Sequence, residues 1–347
     1  MTPHKISLIA ICTWIALCAP ARAEDPAGKP ESGGTFTVEI ENDKFTPGNT
    51  DRHYTNGFRL DWTSDKATGA DHESVRDLLA FLYPLADVRA GRIGFSFGQA
   101  IYTPDDTDAY PPPGNDRPYA GWLFAGAALH AETSNVDPET GAHDDKLDSV
   151  ELTLGIVGPH AYGRQVQNEF HSIIGVDASH GWDFQLKDEP AVNMLFERRW
   201  RPQGYQVLGL EADAIPYIGG SLGNVFDFAG TGAILRIGQG IKNDYGPAHI
   251  QPSLSGLEAV EPYKGLWWYA FGGLEGRAVL HNIFLDGNTF ADSPNVDRNV
   301  WVGDLQFGLA LAYDRYRIAL TDVYRSKEFS TQQGSDNFAA INLSVHF

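Results

Sequence analysis

In the run RQVQNEFHSII at 164–174, Gln167 and His171 stand four residues apart, so both side chains would share one face of a helix. Far upstream lie two more polar groups, Glu41-Asn42-Asp43 and Tyr54-Thr55-Asn56-Gly57. These residue types suit hydrolysis of an ester. That reaction needs an attacking water, a base that titrates near neutrality and a stabiliser for the oxyanion, and an imidazole such as that of His171 can be the base. Asn42 and Asp43 bring hard oxygen donors, and Thr55 and Gln167 can orient water or substrate by hydrogen bonds. Singly, each has a plainer reading: a histidine on an amphipathic loop helix is more often structural, and Asx residues shape turns. What matters is whether the chain brings them together.

Composition limits the scaffold. His4 and Lys5 precede an apolar run from Ile6 to Leu17, broken by Thr13, and then comes Ala21-Arg22-Ala23, which reads as an export signal cleaved after Ala23. The run is too short for a membrane helix, which needs roughly 20 residues to cross a ~30 Å core. Leu17 stands before Cys18 where lipoprotein processing expects a small residue. Cys12 and Cys18 both fall in 1–23, so the mature chain would offer no disulfide, thiolate ligand or cysteine nucleophile. Without Lys5 and Arg22, 24 basic residues face 45 acidic ones, formally −21, which argues against nucleic acid as a partner.

Past the signal no stretch of 18 apolar residues occurs, so no helix spans a membrane. A β-barrel is the other structure that satisfies its whole backbone in lipid, with a weaker alternating signal. Alternation is present: Phe36, Val38 and Ile40 interleave with Thr37, Glu39 and Glu41, and Phe58, Leu60 and Trp62 with Arg59 and Asp61. It recurs at the end, with Ile341, Leu343, Val345 and Phe347 opposite Asn342, Ser344 and His346. The terminal Phe347 resembles the signal read by the bacterial barrel-assembly machinery.

The pattern predicts twelve strands, at 35–41, 54–63, 92–101, 120–131, 148–157, 190–199, 204–214, 226–237, 266–275, 301–313, 316–324 and 338–347. An even number fits a bacterial single-chain barrel, and Trp122, Trp200, Trp267, Trp268 and Trp301 fit interfacial girdles. A soluble β-sandwich or lipocalin-like barrel would alternate too, but with its apolar face inward. Residues 24–34 form a flexible lead-in and 35–347 a single barrel. The segment 238–265 is long for a periplasmic turn; either it packs as a plug-like loop or the strand count fails there. The segment 164–174 is the one convincing helix. In an up-and-down barrel alternate loops share a rim. That parity places the ends of strands one and two, the start of strand four and the His171 helix at the same, extracellular, end.

Four blocks carry a resemblance: END at 41–43, DRHYTNG at 51–57, DRPYAGW at 116–122 and LGIVGPHAYGRQVQNEFHSIIG at 154–175. In this order and spacing, across the mature chain, they resemble the outer-membrane lipid A 3′-O-deacylase family, the LpxR type. The resemblance implies a twelve-stranded antiparallel transmembrane β-barrel with one short extracellular-loop helix, and an active site between barrel wall and helix. It also implies calcium-dependent hydrolysis of the ester-linked acyloxyacyl chain at the 3′ position of lipid A, in the lipopolysaccharide of the outer leaflet. Residue by residue, the family's base falls on His171, its helix Gln on Gln167, its strand-one pair on Asn42 and Asp43, and its strand-two Thr on Thr55. Its acidic residue six positions after the histidine is matched by Asp177, one methylene shorter than the Glu of relatives. The implied calcium ligands are Asp43, Asn42 and Asp177.

Relatives have a basic loop after strand three, whereas this one reads TPDDTDAYPPPGNDRPY with Arg117 as its only cation. Either Arg117, Arg52 and calcium bridge the lipid A phosphates, or the substrate has an altered head-group charge. No GxSxG, HExxH or P-loop occurs. An outer-membrane phospholipase A is the enzymatic alternative, with Ser172 beside His171, although neighbouring helical positions point about 100° apart. A non-catalytic porin-like barrel is the alternative of another class.

Overall fold

The computed structural model describes residues 33–46, 53–65, 73–83, 91–136, 143–175, 177–247 and 265–347. The expected signal at 1–23, most of the lead-in, Arg52 and the middle of 238–265 lie outside the described residues. Thirteen strands form one antiparallel sheet: β1 (Gly34–Asn42), β2 (His53–Ser64), β3 (Arg92–Thr103), β4 (Ala120–Val136), β5 (His143–Val157), β6 (Glu189–Pro202), β7 (Tyr205–Val207), β8 (Leu210–Gly223), β9 (Phe226–Gln239), β10 (Leu266–Asn282), β11 (Trp301–Tyr313), β12 (Tyr316–Arg325) and β13 (Asp336–His346). Each wall strand pairs with the next, β1 with β13, and β6 with β8 past the three-residue β7. Twelve strands therefore close the expected barrel. The start of β1 and the C-terminal residue lie at one end, called the termini end below, where Gly34 and Phe347 exchange backbone hydrogen bonds of 3.1 and 3.0 Å; the opposite end is called distal.

Alternation separates the two faces. On β11, Trp301, Leu305, Phe307, Leu309, Leu311 and Tyr313 are exposed on the outside while Val302, Asp304, Gln306, Ala310 and Ala312 are buried within. The lumen is packed with paired charges: Arg59 with Asp61 and Glu151, Arg199 with Glu197, Arg325 and Arg277 with Asp304. Each of these guanidinium groups has a carboxylate within reach, which offsets the cost of removing both from water.

The structure differs from the expectation in two places. The seventh wall strand is β8, displaced from the predicted 204–214. Residues 205–212 instead make a hairpin turning at Leu208-Gly209, with φ of 54° and 81°. Two positive φ values suit a two-residue hairpin turn, but Leu in the first position hides the usual Asn-Gly signal. Second, a helix absent from the sequence reading, α1 (Glu73–Leu82), precedes the expected one, α2 (Gly163–Ile174), and a single turn, α3 (Ile283–Asp286), follows β10. Of the two readings of 238–265, the described part takes the plug-like one. After β9 the chain enters the barrel, and Asp244 meets Arg236, Arg317 (2.9 Å) and the hydroxyl of Tyr269 (2.7 Å) while Arg201 stacks on Tyr245.

Candidate active site

On β1 the inward side chains are Thr35, Thr37, Glu39 and Glu41, so Asn42 faces outward at the distal end. Asn42 pairs in register with Asn56 of β2, and Asn56 with Ile101 of β3, also outward. The β2–β3 register slips between Tyr54 and Asn56. Thr55 is the extra residue of that bulge, and a bulge re-aims side chains. Its hydroxyl lies 2.8 Å from that of Thr103 on the outer side of β3, while Tyr54 turns inward and donates to Glu41 at 2.6 Å.

Outward residues of a barrel normally meet lipid or water. Here Asn42 is 2%, Asp43 2%, Thr55 3% and Thr103 0% exposed. Such burial on an outer wall means that another element covers them. Helix α2 packs on the outer wall at this end, against β3 and β4.

Glycines let the cover sit close. A Cβ at Gly121 of β4 would lie 3.1 Å from the backbone nitrogen of Gly163, and one at Gly163 would lie 2.7 Å from the Trp182 ring. The chain reaches this point through Gly158 (φ 114°), whose N–H donates to Gly121 at 3.0 Å, and through Tyr162 (φ 59°). Gln99, outward on β3, donates to the carbonyl of Ala161 at 2.5 Å. Gly175 (φ 76°) caps α2 by donating to the carbonyl of His171, and the returning loop brings Trp182 against Ile101 and Tyr119.

Gln167 and His171 are each 2% exposed on the covered side of α2, whereas Ser172 is exposed. The serine next to the histidine therefore does not share its environment. The Trp182 indole N–H donates to Oε1 of Gln167 at 2.8 Å. An indole nitrogen can only donate, so this contact fixes which way the amide points. The Gln167 Nε2 is buried with no hydrogen-bond partner among the described residues. At His171, Nδ1 lies 2.8 Å from the main-chain carbonyl of Asp177. A carbonyl only accepts, so Nδ1 carries a proton, and in the neutral form of the ring the lone pair is on Nε2.

The predicted residues thus fall into a wall set, Asn42, Asp43 and Thr55, and a helix set, Gln167 and His171; Thr55 meets Thr103 on β3, one of the two strands against which α2 packs. Asp177 contributes its carbonyl to His171, and its residue is otherwise exposed. Arg117 is placed elsewhere: its guanidinium meets Glu328 at 2.6 Å and lies over the inward ring of Tyr102, 5.3 Å from the centroid. Sequence reading missed Thr103, two residues past a strand predicted to end at 101, and Trp182, whose only signal is an aromatic in a polar loop. It also missed Asn168, whose Oδ1 accepts from the Ser179 N–H at 3.0 Å and pins the loop after α2.

For a cation the donor set is oxygen alone. Asp43 offers a buried carboxylate and Asn42 a carbonyl oxygen that accepts from the Lys44 N–H at 2.8 Å and retains a second lone pair. Among the described residues no three His, Cys, Asp or Glu side chains gather for a metal. The set fits a hard cation that also takes amide and main-chain carbonyls, as calcium does, and not a thiolate or polyhistidine metal.

Charges also brace the distal end. His53 (φ 63°), two residues before Thr55, faces Asp336 through Nδ1 at 2.7 Å and Asp116 through Nε2 at 3.4 Å. Burial pushes the Asp116 carboxyl up, but hydrogen bonds from His53 and from the Asp105 and Arg117 N–H groups outweigh it and hold it below the usual range. Glu328 is likewise pushed up by burial and pulled lower by Arg117 and Arg325.

A family model described as "Outer membrane protein LpxR" matches residues 8–347. Among solved structures, LpxR from Salmonella typhimurium is similar at a TM-score of 0.71 and 22% identity, over 90% of this chain and 100% of that one. The β domain of the Bordetella autotransporter BrkA aligns at a TM-score of 0.43 and 8% identity, over 91% and 99%. The first likeness shows a shared fold; the second carries no argument. No curated protein matches in sequence.

Proposed function

Because this chain belongs to the LpxR outer-membrane protein family, we propose that it is a lipid A deacylase that removes the 3′-linked acyloxyacyl chain by ester hydrolysis, with the distal end facing outward. The observation that carries this reading is that Asn42, Asp43 and Thr55, at the distal ends of β1 and β2, and Gln167 and His171, on the helix α2 that packs against the outer wall, are all buried. A site on the outer wall is open to a lipid arriving laterally from the leaflet, which a site inside the lumen would not be.

In this mechanism Nε2 of His171 takes the proton of a water that attacks the ester carbonyl, and the Asp177 carbonyl holds the ring in the required tautomer. The Nε2 amide of Gln167, fixed by Trp182, donates to the water or the substrate carbonyl. Thr55, aimed by the bulge and steadied by Thr103, does the same from the wall. Asn42 and Asp43 would hold calcium, which when bound supplies positive charge for the developing oxyanion. His171 then returns the proton to the leaving oxygen. The acidic loop after β3 and the burial of Arg117 support a substrate whose head group does not depend on a lysine cluster.

Mass spectrometry of lipid A from a host of known acylation that expresses the chain tests the proposal. Loss of the 3′ acyloxyacyl group is expected. Release of fatty acid with lysophospholipid would assign a phospholipase instead, and unaltered lipids with ion conductance would assign a porin. The ion-paired lumen and the inserted Asp244 argue against the porin.

A further inference from the structure

Helix α1 connects β2 to β3 at the termini end, and it does not sit over the lumen. Its underside, Val75, Leu79 and the following Tyr83, packs on Leu129, Ala131, Val150 and Phe196. These are outward positions, and the strand registers arrange them as a grid: Ala127, Leu152 and Met194 in one row, Leu129, Val150 and Phe196 in the next, Ala131, Asp148 and Arg198 in the third. One row further toward the distal end, Leu154 and Val192 are 56% and 47% exposed, as bare lipid-facing wall. One row beyond Asp148 and Arg198 stands outward Trp200, paired with Lys146, at the position of an interfacial girdle. The helix is thus fastened to the wall between the bare apolar rows and the girdle.

Two features need explanation there. Asp148 and Arg198 form an ion pair of 2.7 Å on the outer face, where a lipid-exposed charge is costly, and Tyr83 covers it, donating to Asp148 at 2.7 Å with its ring stacked on Phe196. And α1 turns Phe81, 79% exposed, and Leu78, 50% exposed, away from the wall. The exposed polar positions, Glu73, Ser74 and Asp77, lie in its first half, and the exposed apolar ones in its second.

We infer that α1 is an interfacial helix embedded in the leaflet at the termini end, with Leu78 and Phe81 seated among phospholipid acyl chains and Glu73 and Asp77 in the head-group layer. The occupant follows from continuity: the exposed apolar side of α1 extends the wall that Leu154 and Val192 already present to lipid. An oblique seat, polar start outward and apolar end inward, satisfies both halves of the helix. The helix then seals Asp148 and Arg198 from lipid and widens the barrel's grip on that leaflet. This inference rests on the barrel and its outer-membrane location and is independent of the catalytic reading.

A cysteine at position 81, in protein free of Cys12 and Cys18, can be labelled with an environment-sensitive fluorophore and the barrel refolded into phosphatidylcholine vesicles. Leu274→Cys on the bare wall and Asp108→Cys in the distal acidic loop are the lipid and water references. Quenching of the Phe81→Cys label by bromine-labelled acyl chains, to the degree seen at 274, is the expected result. Quenching by aqueous iodide, as at 108, would overturn the inference, and so would protection from both quenchers, which would mean that protein covers the site. Phe81 makes no core contact, so the substitution leaves folding intact, and the same labelling at Leu78 repeats the test one turn away.

Discussion

The Trp182 indole donates to Oε1 of Gln167 at 2.8 Å, and through that contact a loop residue decides which amide atom of α2 faces the covered wall. Trp182→Phe keeps the ring that packs on Tyr119 but leaves the Gln167 carbonyl buried without its donor. Such a loss costs about 1–3 kcal/mol, so kcat for deacylation is expected to fall by roughly tenfold. The heat-modifiable gel mobility of the folded barrel should stay as it is. Unchanged kcat would remove Gln167 from the mechanism.

Calcium dependence should run through Asp43. Chelation of calcium is expected to abolish activity and added calcium to restore it, with Asp43→Asn needing about tenfold more calcium because a charged hard donor becomes neutral. Terbium luminescence, read without substrate, should weaken in the same variant. Full activity in chelator would exclude the metal from the reaction.

Arg117 should matter for folding more than for head-group recognition, because its guanidinium is sealed against Glu328 and Tyr102. Arg117→Ala leaves Glu328 without that partner, and breaking a buried pair from one side costs about 3–5 kcal/mol. A lowered unfolding midpoint in denaturant, with unchanged preference between lipid A species of different phosphate content, is expected. A changed preference at unchanged stability would restore Arg117 as a substrate contact.

Acid should loosen the distal loops. Asp116 and Glu328 have folded pKa values below their ordinary 3.8 and 4.5. Their stabilisation is therefore fully present above those ordinary values and is lost as pH falls through the lower folded ones. Hydrogen exchange at 103–119 and 326–335 should accelerate below about pH 4 while the wall strands stay protected. Constant loop protection down to pH 2 would show that these carboxylates do not brace the loops.

Strands such as β1, β2 and β11 were legible because one face meets lipid and the other paired charge, so alternation is forced on the sequence. Loop parity then put Asn42, Thr55 and His171 at one end. Other parts were not legible because tertiary contacts decide them. Leu208 adopts a left-handed conformation that nothing about leucine favours, which displaced β8. Helix α1 carries Val75, Leu78, Leu79 and Leu82 at helical spacing, but it faces two apolar surroundings at once and so lacks a clean polar side. Thr103 and Trp182 belong to the site only because α2 folds over the outer wall, a relationship that alternation does not encode. The inward alternative of a soluble barrel is displaced by the same fact: the exposed face is the apolar one.

The central claim is that His171, on the covered side of α2, activates the water that cleaves the 3′ ester. Its most direct test is the rate of 3′ acyloxyacyl release from purified lipid A, followed by mass spectrometry with calcium present, for the native chain beside His171→Ala. Loss of a general base should slow release by about 100-fold to 10,000-fold, in protein that still migrates as a folded barrel. Release by the folded variant at the native rate would contradict the claim.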